Sequence, residues 1–154
     1  MIAINKILVP VDFSACSRLA LEYAIHFGTR LGARAIDVLH VWEPLRHLDP
    51  GARLQGREET LGEFVQSQAG QAMKELLEHV EGTLSFEVHG RLESGAPHTS
   101  ILHVAAEGYD LIVMGTHGRG LMSHLILGST TERVIRLAPC PVFSMKTMPV
   151  EAVL

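Results

Sequence analysis

Cysteine is scarce in this chain, which has 154 residues and contains two, Cys16 and Cys140. They lie far apart, in segments with a helical and a turn-like pattern. A small secreted protein that relies on disulfides has several cysteines at close spacing, so the sequence argues against that class. Sparse cysteine is typical of a reducing compartment, and we therefore expect a cytoplasmic protein.

Long apolar runs and an excess of positive charge are also missing. No run approaches the ~20 apolar residues that span a bilayer. Met1 to Lys6 leads directly into a strand-like segment, so we expect no signal peptide. The formal net charge of −4 argues against nucleic acid or an anionic membrane as the main partner. What remains is one globular domain long enough to bury a core.

Apolar segments alternate with amphipathic segments along the chain. The pattern predicts strands at residues 7–9, 35–41, 84–89, 110–114 and 142–146. It predicts helices at residues 15–31, 60–80, 97–108 and 129–137. This alternation is typical of an α/β fold, and we expect a single-domain three-layer sandwich with a five-stranded parallel sheet. The domain is placed at residues 1–146, followed by a frayed C-terminal tail at residues 147–154.

Local signals define the ends and faces of the predicted helices. Ser14 is the expected N-cap of the first helix and Gly32 its stop. Capping boxes are predicted at Thr60–Glu63 and at Ser129–Glu132, and Gly82 is the expected end of the second helix. The residues of the first helix that recur at helical spacing, and that we expect to face the sheet, are Leu19, Tyr23, Ala24, Phe27 and Leu31.

Glycines follow the fourth predicted strand in a spaced pattern. Leu111 to Met114 leads into Gly115-Thr116-His117-Gly118, and nine residues later come Gly128, Ser129 and Thr130. Glycine allows close approach of the backbone to a ligand. The first turn of the helix that follows offers unpaired N–H groups and the positive end of a dipole. The pattern therefore predicts an anion site suited to phosphate.

Other phosphate and hydrolase motifs do not fit this chain. Gly115 to Gly120 has the glycine spacing of a Walker loop, but Leu121-Met122 stands where that loop needs Lys-Ser/Thr. The turn after the first strand, Pro10 to Ser14, lacks the glycines of a dinucleotide-binding fold. There is also no Gly-x-Ser-x-Gly nucleophile elbow. The first two classes are rejected, and the missing elbow argues against an α/β-hydrolase.

The remaining pattern, Gly-x2-Gly-x9-Gly-Ser, resembles the motif of the universal stress protein family. Gly115, Gly118, Gly128 and Ser129 occupy its specified positions. Three flanking segments are similar to the first strand-to-helix turn, the end of the second strand and the entry to the last strand of that family: Pro10-Val11-Asp12-Phe13-Ser14, Leu39-His40-Val41 and Pro139-Cys140-Pro141-Val142. The resemblance covers nearly the whole chain.

This resemblance implies the ATP-binding branch of the family, an adenine-nucleotide alpha-hydrolase-like (Rossmann-like) fold and a strand order of 3-2-1-4-5. It implies that Asp12 and Val41 flank the adenine and ribose, and that backbone amides near the glycines and the Ser129 hydroxyl hold ribose and phosphates. It also implies a homodimer that pairs the last strands, from Val142 to Lys146. The expected nucleotide-binding residues are Pro10, Val11, Asp12, Val41, Met114, Gly115, His117, Gly118, Arg119, Gly128, Ser129 and Thr130.

The residue types suit these roles on physical grounds. The Asp12 carboxylate can accept hydrogen bonds from ribose hydroxyls, away from the phosphates that repel it. Val41 can form an apolar wall for a planar base. His117 and Arg119 can neutralise a γ-phosphate or a bound metal. None of the nine histidines has metal-ligand spacing, so we expect Mg²⁺ to enter with the phosphates of ATP.

Simpler interpretations stay open for single residues, and two other functions stay open for the chain. Asp12 could cap the first helix, Val41 could be a core residue and Ser129 an ordinary N-cap. The leading hypothesis is an ATP-binding stress-response or regulatory module with at most slow hydrolysis. An adenylyl-transferring enzyme is one alternative, although the His-x-Gly-His and Ser-Gly-Gly-x-Asp-Ser turns are absent. A dimeric scaffold that binds no nucleotide is the other.

Overall fold

A computed structural model describes residues 3–44, 49–53, 55–80, 84–117 and 127–146. Its elements alternate along the chain as the sequence predicts. They are β1 (Lys6–Val11), α1 (Ala15–Leu31), β2 (Ala35–Trp42), α2 (Leu61–Glu78), β3 (Glu87–Ser94), α3 (Pro97–Ala105), β4 (Leu111–Gly115), α4 (Ser129–Leu137) and β5 (Val142–Met145). None of the helices in these ranges is long and apolar enough to cross a bilayer. Gly82 and the tail at 147–154 lie outside the described residues.

The strands form one parallel sheet in the order β3-β2-β1-β4-β5. The expected fold class and strand order are thereby confirmed. Along the chain, β2 and β3 are added on one side of β1, whereas β4 and β5 are added on its other side, so the direction of strand order reverses between the neighbours β1 and β4. In sheets of this kind, ligands bind at the carboxyl ends of the strands where that reversal occurs.

Two apolar layers enclose the sheet because successive side chains of a strand point to opposite faces. On β1, Ile7 and Val9 face the layer that contains α1 and α2, whereas Leu8 faces the other. That second layer includes Ile101 of α3 and Val134 of α4. The apolar runs of β1 and β4 are buried on both faces, as expected of central parallel strands.

Helix α1 packs on the sheet through a face that the sequence predicted only in part: Ala24 is buried and Phe27 packs against the core as expected, but Tyr23 and Leu31 do not. Its buried residues are Cys16, Ser17, Ala20, Leu21, Ala24 and Gly28, whereas Tyr23 and Leu31 are exposed. The reason is close packing. Small residues bring the helix axis near the sheet, and a Cβ on Gly28 would lie 3.0 Å from the Phe86 ring. Large residues such as Tyr23 are displaced to the flank.

Several helix ends agree with the prediction. The Ser14 side chain accepts a hydrogen bond from the Ser17 N–H, and Gly32 ends α1 in the left-handed conformation at φ 70°. Thr60 and Glu63 form the expected capping box of α2. Proline at position 97 is the first residue of α3, where its missing N–H is not needed. The C-termini of α2 and α3 fall before the predicted residues, at Glu78 and Ala105.

Two predictions about local structure are wrong. Strand β3 runs from Glu87 to Ser94 rather than over residues 84–89, because it pairs with β2 along the full length from Ala35 to Trp42. The predicted capping box at Ser129 is absent. Gly128 is the N-cap of α4 and no side chain caps the helix. Ser129 is therefore the first residue inside α4, and the hydroxyl of Thr131 donates to the Gly115 carbonyl at 2.9 Å.

Candidate functional site

A cavity of about 280 Å³ opens at the carboxyl ends of β1, β2 and β4, where the strand order reverses. Its size is close to the ~300 Å³ of small ligand pockets. The first turns of α3 and α4 close its other side. The residues that line it are Pro10, Val11, Asp12, Ser17, Leu39, Val41, Pro97, Ile101, Met114, Gly115, His117, Gly128, Ser129, Thr130 and Thr131.

Every predicted binding residue that the structure describes lines this cavity. From the first turn these are Pro10, Val11 and Asp12; from the second strand, Val41; and from the glycine segment, Met114, Gly115, His117, Gly128, Ser129 and Thr130. The other two, Gly118 and Arg119, lie outside the described residues. Direct contact of any of them with a ligand stays a prediction.

Five lining residues were not identified from the sequence: Ser17, Leu39, Pro97, Ile101 and Thr131. A signal existed for Leu39, because it lies two residues before Val41 and therefore points to the same face of the strand. Pro97 also carried a signal, since it begins a helix at the carboxyl edge of the sheet. Ile101 lies one turn further along α3. Nothing in the local pattern around Ser17 or Thr131 distinguished them from ordinary helix residues.

The turn between β1 and α1 orients the only carboxylate that lines the cavity in the described part of the chain. Asp12 Oδ1 accepts hydrogen bonds from the Ser14 N–H at 3.1 Å and from the Ser14 hydroxyl at 2.5 Å. Ser14, not Asp12, is the N-cap of α1. The interpretation of Asp12 as a helix cap is therefore wrong, and its carboxylate lies at the cavity wall within an Asx turn.

The two glycine groups are held against each other by the chain itself. The Gly128 N–H donates to the Thr116 carbonyl at 2.7 Å, and a Cβ on Gly128 would lie 2.9 Å from that oxygen. A Cβ on Gly115 would lie 2.7 Å from Cys16 Sγ. These glycines are thus required by packing within the protein, in addition to any close approach of a ligand.

Two helix N-termini without side-chain caps meet at the cavity. Gly128 precedes α4 and Ala96 precedes α3, and among the described residues no side chain caps the N-terminus of either helix. Ser129 and Thr130 of α4 and Pro97 of α3 line the cavity. Because N-terminal N–H groups and the helix dipole favour negative charge, this side suits an anion, opposite the Asp12 carboxylate.

Apolar side chains form the remaining wall. Leu39, Ile101 and Met114 are buried members of the core layer beneath the cavity, and Val41 packs against that layer while half-buried. Val41 is thus both a core residue and a lining residue. An apolar wall with a few polar groups at its edges is typical of a site for a planar, partly polar ligand.

His117 completes the polar edge. Its Nδ1 lies 2.8 Å from the Thr116 hydroxyl oxygen, which fixes the ring at the cavity wall. Across the ranges that the structure describes, no three His, Cys, Asp or Glu side chains are grouped to hold a metal ion.

Comparison with known proteins identifies the family. The family model described as "Universal stress protein family" matches residues 3–146. Universal stress protein MJ0577 of Methanocaldococcus jannaschii is 32% identical to this chain over an alignment of 154 positions. The alignment covers 92% of this chain and 94% of that protein. Its solved structure has a TM-score of 0.71 to this one and covers 94% of this chain and 97% of its own.

Two further solved structures share the fold. Universal stress protein UspA from Lactobacillus plantarum has a TM-score of 0.79 at 27% identity and covers 93% of this chain and 98% of its own. An Arabidopsis thaliana universal stress family protein, solved with AMP bound, has a TM-score of 0.64 at 18% identity and covers 96% and 94%. The family model, the archaeal relative and the shared topology agree, and the chain belongs to the universal stress protein family.

Proposed function

We propose that this protein is an ATP-binding universal stress protein that acts as a nucleotide-dependent regulatory module in the cytoplasm. The observation that carries the proposal is the distribution of charge and polarity around one cavity. A carboxylate lies on one side, two helix N-termini without side-chain caps lie on the other, and an apolar wall connects them. These three features match ribose, phosphate and base in turn.

Each part of the nucleotide has a complementary group. The adenine packs against Val41 and Met114, and the Asp12 carboxylate accepts from the ribose hydroxyls. The phosphates lie at the first turn of α4, where the main-chain N–H groups and the Ser129 hydroxyl donate to them. Gly118, His117 and Arg119 belong to the same segment in the sequence, and Mg²⁺ enters bound to the phosphates.

The choice of an adenine nucleotide rests on the filled glycine motif and on this cavity. The Arabidopsis structure with AMP shares the fold, so AMP belongs among the ligands to compare with ATP. A triphosphate is favoured here because both helix N-termini stabilise negative charge, and the effect grows with the charge of the ligand.

Catalysis is slow at most. Around the cavity, the described residues include one carboxylate, Asp12, which the proposal assigns to ribose, and one imidazole, His117. Phosphoryl transfer depends on positioned cations and on a group that orients the attacking water. With no second carboxylate in the described lining, we propose retention of ATP with slow hydrolysis.

We further propose a homodimer that pairs the outer edges of β5. Within the described residues, β5 pairs only with β4, so its other backbone edge is available to a second strand. Phe143 on this strand is 40% exposed and packs with Tyr23 and Phe27 of α1. The test is the mass in solution by light scattering: Phe143→Lys should yield monomers, and an unchanged mass would contradict the arrangement.

Thermal unfolding with added ligand tests nucleotide binding. ATP at about 100 times its Kd should stabilise the protein by about 2.7 kcal/mol. Ser129→Ala should weaken ATP binding while leaving adenosine binding unchanged, since the hydroxyl is assigned to phosphate. Thr29→Ala is the matched control, because its hydroxyl donates to the Ile25 carbonyl within α1, outside the cavity lining.

Two outcomes would assign another function. No stabilisation at millimolar ATP would favour the nucleotide-free scaffold. Rapid formation of AMP and pyrophosphate from ATP would favour an adenylyl-transferring enzyme. Mass spectrometry of the small molecules released on denaturing the native protein provides a check that does not depend on the choice of ligand.

A further inference from the structure

The turn that carries Asp12 has an unusual backbone. Phe13 has φ 64° and is the one residue other than glycine with positive φ in the described ranges. A bulky aromatic residue is strained in this conformation and adopts it only where its surroundings enforce it. Phe13 lies between Asp12, which lines the cavity, and Ser14, which caps α1. Whatever holds Phe13 therefore also sets the position of Asp12.

His40 contacts this turn on both sides of Asp12. Its Nδ1 lies 2.8 Å from the Val11 carbonyl oxygen. Since a carbonyl can only accept, Nδ1 must carry the proton and donate. The imidazole ring also packs on the Phe13 ring, with centroids 4.4 Å apart and planes at 38°. One side chain thus holds the residue before Asp12 and the residue after it.

His40 does not belong to the cavity itself. Along β2, Leu39 and Val41 line the cavity, and His40 between them does not. Alternation along the strand places its side chain on the opposite face, where Val38 and Phe13 belong to the α1 and α2 layer. Any effect of His40 on a ligand must therefore pass through the turn.

From these contacts we infer that His40 is a positioning residue for the ribose-binding carboxylate. It holds the main chain of residues 11–13 from behind the sheet, and Ser14 orients the carboxylate within that frame. The inference rests on the proposed nucleotide binding and adds to it a residue that does not contact the ligand. It assigns the strained conformation of Phe13 a function, which is to direct Asp12 towards the ribose hydroxyls.

The experiment compares ATP with 2′,3′-dideoxy-ATP, which lacks the ribose hydroxyls that Asp12 is assigned to bind. Calorimetry gives the Kd of each nucleotide for the wild type, His40→Ala, Asp12→Ala and the double variant. His40→Ala should weaken ATP binding about tenfold, the size expected for disturbing a hydrogen bond to a charged group. It should change dideoxy-ATP binding less than about twofold. In the double variant the two losses should not add, because both act on one contact.

Three further variants separate positioning from simple packing. His40→Asn keeps an N–H near the Nδ1 position and should recover part of the ATP affinity lost in His40→Ala. It also serves as the test variant if His40→Ala does not fold, as judged by near-ultraviolet circular dichroism. His40→Phe keeps a ring against Phe13 without the donor, and its loss reports on the bond to the Val11 carbonyl. His89→Ala is the matched control, since His89 is exposed on β3 and contacts Glu87.

The outcomes distinguish this inference from the proposed function. Equal loss of ATP and dideoxy-ATP in folded His40 variants would overturn it and leave a general packing role. Unchanged ATP affinity in those variants would overturn it as well. Failure of the wild-type protein to bind either nucleotide would refute the proposed function first. A selective loss of ATP affinity that is absent in His89→Ala would support the positioning role.

Discussion

The strands of the sheet begin at one border, the amino edge, and end at the opposite border, the carboxyl edge. These two borders are closed in different ways. At the amino edge, polar groups satisfy one another. The Asp110 carboxylate accepts from the N–H groups of Asn5 and Lys6 at 2.8 and 3.0 Å. The Tyr109 hydroxyl donates to Asp37, and Lys6 lies over the Tyr109 ring at 4.4 Å. At the carboxyl edge, helix N-termini and strand ends surround a cavity instead.

The difference indicates where stability and binding reside. Buried polar groups that pair with one another stabilise the fold but have little left to offer a ligand. Helix N-termini without side-chain caps contribute less to the stability of their helices, and their N–H groups can serve a ligand. We therefore expect substitutions at the amino edge to change unfolding free energy alone, and most substitutions at the carboxyl edge to change affinity first.

Substitution of Gly115 should be the largest exception to this rule, because it should change stability although the residue lies at the carboxyl edge. The Cβ of an alanine at this position would come within 2.7 Å of Cys16 Sγ and 3.2 Å of the Cys16 carbonyl carbon. Gly115→Ala should lower the free energy of unfolding by up to about 3 kcal/mol, the upper end of typical overpacking costs. Urea unfolding measures this loss.

Gly70→Ala is the control for this substitution. Gly70 lies within α2, where the new Cβ would meet Leu92 at an ordinary 3.8 Å. Because glycine is a poor helix former, the change should stabilise the protein by about 0.5–1 kcal/mol. A Gly115→Ala protein as stable as the wild type would show that the approach of α1 to β4 is not close in solution.

Tyr109, at the amino edge, should follow the division: its substitution should change stability and leave affinity unchanged. The Tyr109 hydroxyl is protonated at neutral pH and donates to Asp37, and burial together with that carboxylate raises the pKa of the hydroxyl above the ordinary value. Tyr109→Phe should lower the unfolding free energy by about 1.5 kcal/mol, as expected for a hydrogen bond to a charged group. ATP affinity should not change.

Tyr23→Phe is the matched control, because Tyr23 is 44% exposed on α1. It should leave both stability and affinity as they are. If Tyr109→Phe weakened ATP binding in a folded protein, the two edges would be coupled through β1 and the division would not hold.

The sequence predicted the central part of the fold well and its periphery less well. Strands β1 and β4 are short apolar runs buried on both faces, and such runs are easily recognised. Strand β3 lies at the edge of the sheet with Gly90 and Arg91 in its middle, so its pattern is weak and its bounds were wrong. The length of β3 is set by pairing with β2, which a local pattern does not contain.

The candidate site divides in a similar way. Glycines and strand ends marked the cavity, because backbone requirements leave a clear trace in the sequence. Ile101 was missed because its place depends on how α3 packs against the sheet. The absent capping box at Ser129 has the same origin, since Gly128, whose N–H donates to the Thr116 carbonyl twelve residues earlier, is the N-cap and Ser129 already lies inside α4. Contacts of this range follow from tertiary packing and not from spacing.

Asp110 should have the smallest effect on the unfolding free energy, but the direction in which that effect changes with pH is clearly defined. Hydrogen bonds from the backbone N–H groups of Lys6 and Asn5 hold the pKa of its carboxyl below the ordinary value. A carboxyl whose pKa is lower in the folded state stabilises the fold fully above the unfolded pKa of ~3.9. That stabilisation is lost as the pH falls through the lower folded pKa.

Asp110→Asn removes the titrating group from this end of the sheet. The stability difference between the wild type and Asp110→Asn, from urea unfolding at pH 6, 5, 4 and 3, should therefore shrink towards low pH. It should be small throughout, because the group is only half-buried and solvent screens its charge. A difference that stayed constant with pH would mean that Asp110 acts at the amino edge through geometry rather than charge. Equal ATP affinity of the two proteins at pH 7 would show that a substitution at the amino edge does not affect binding at the carboxyl edge.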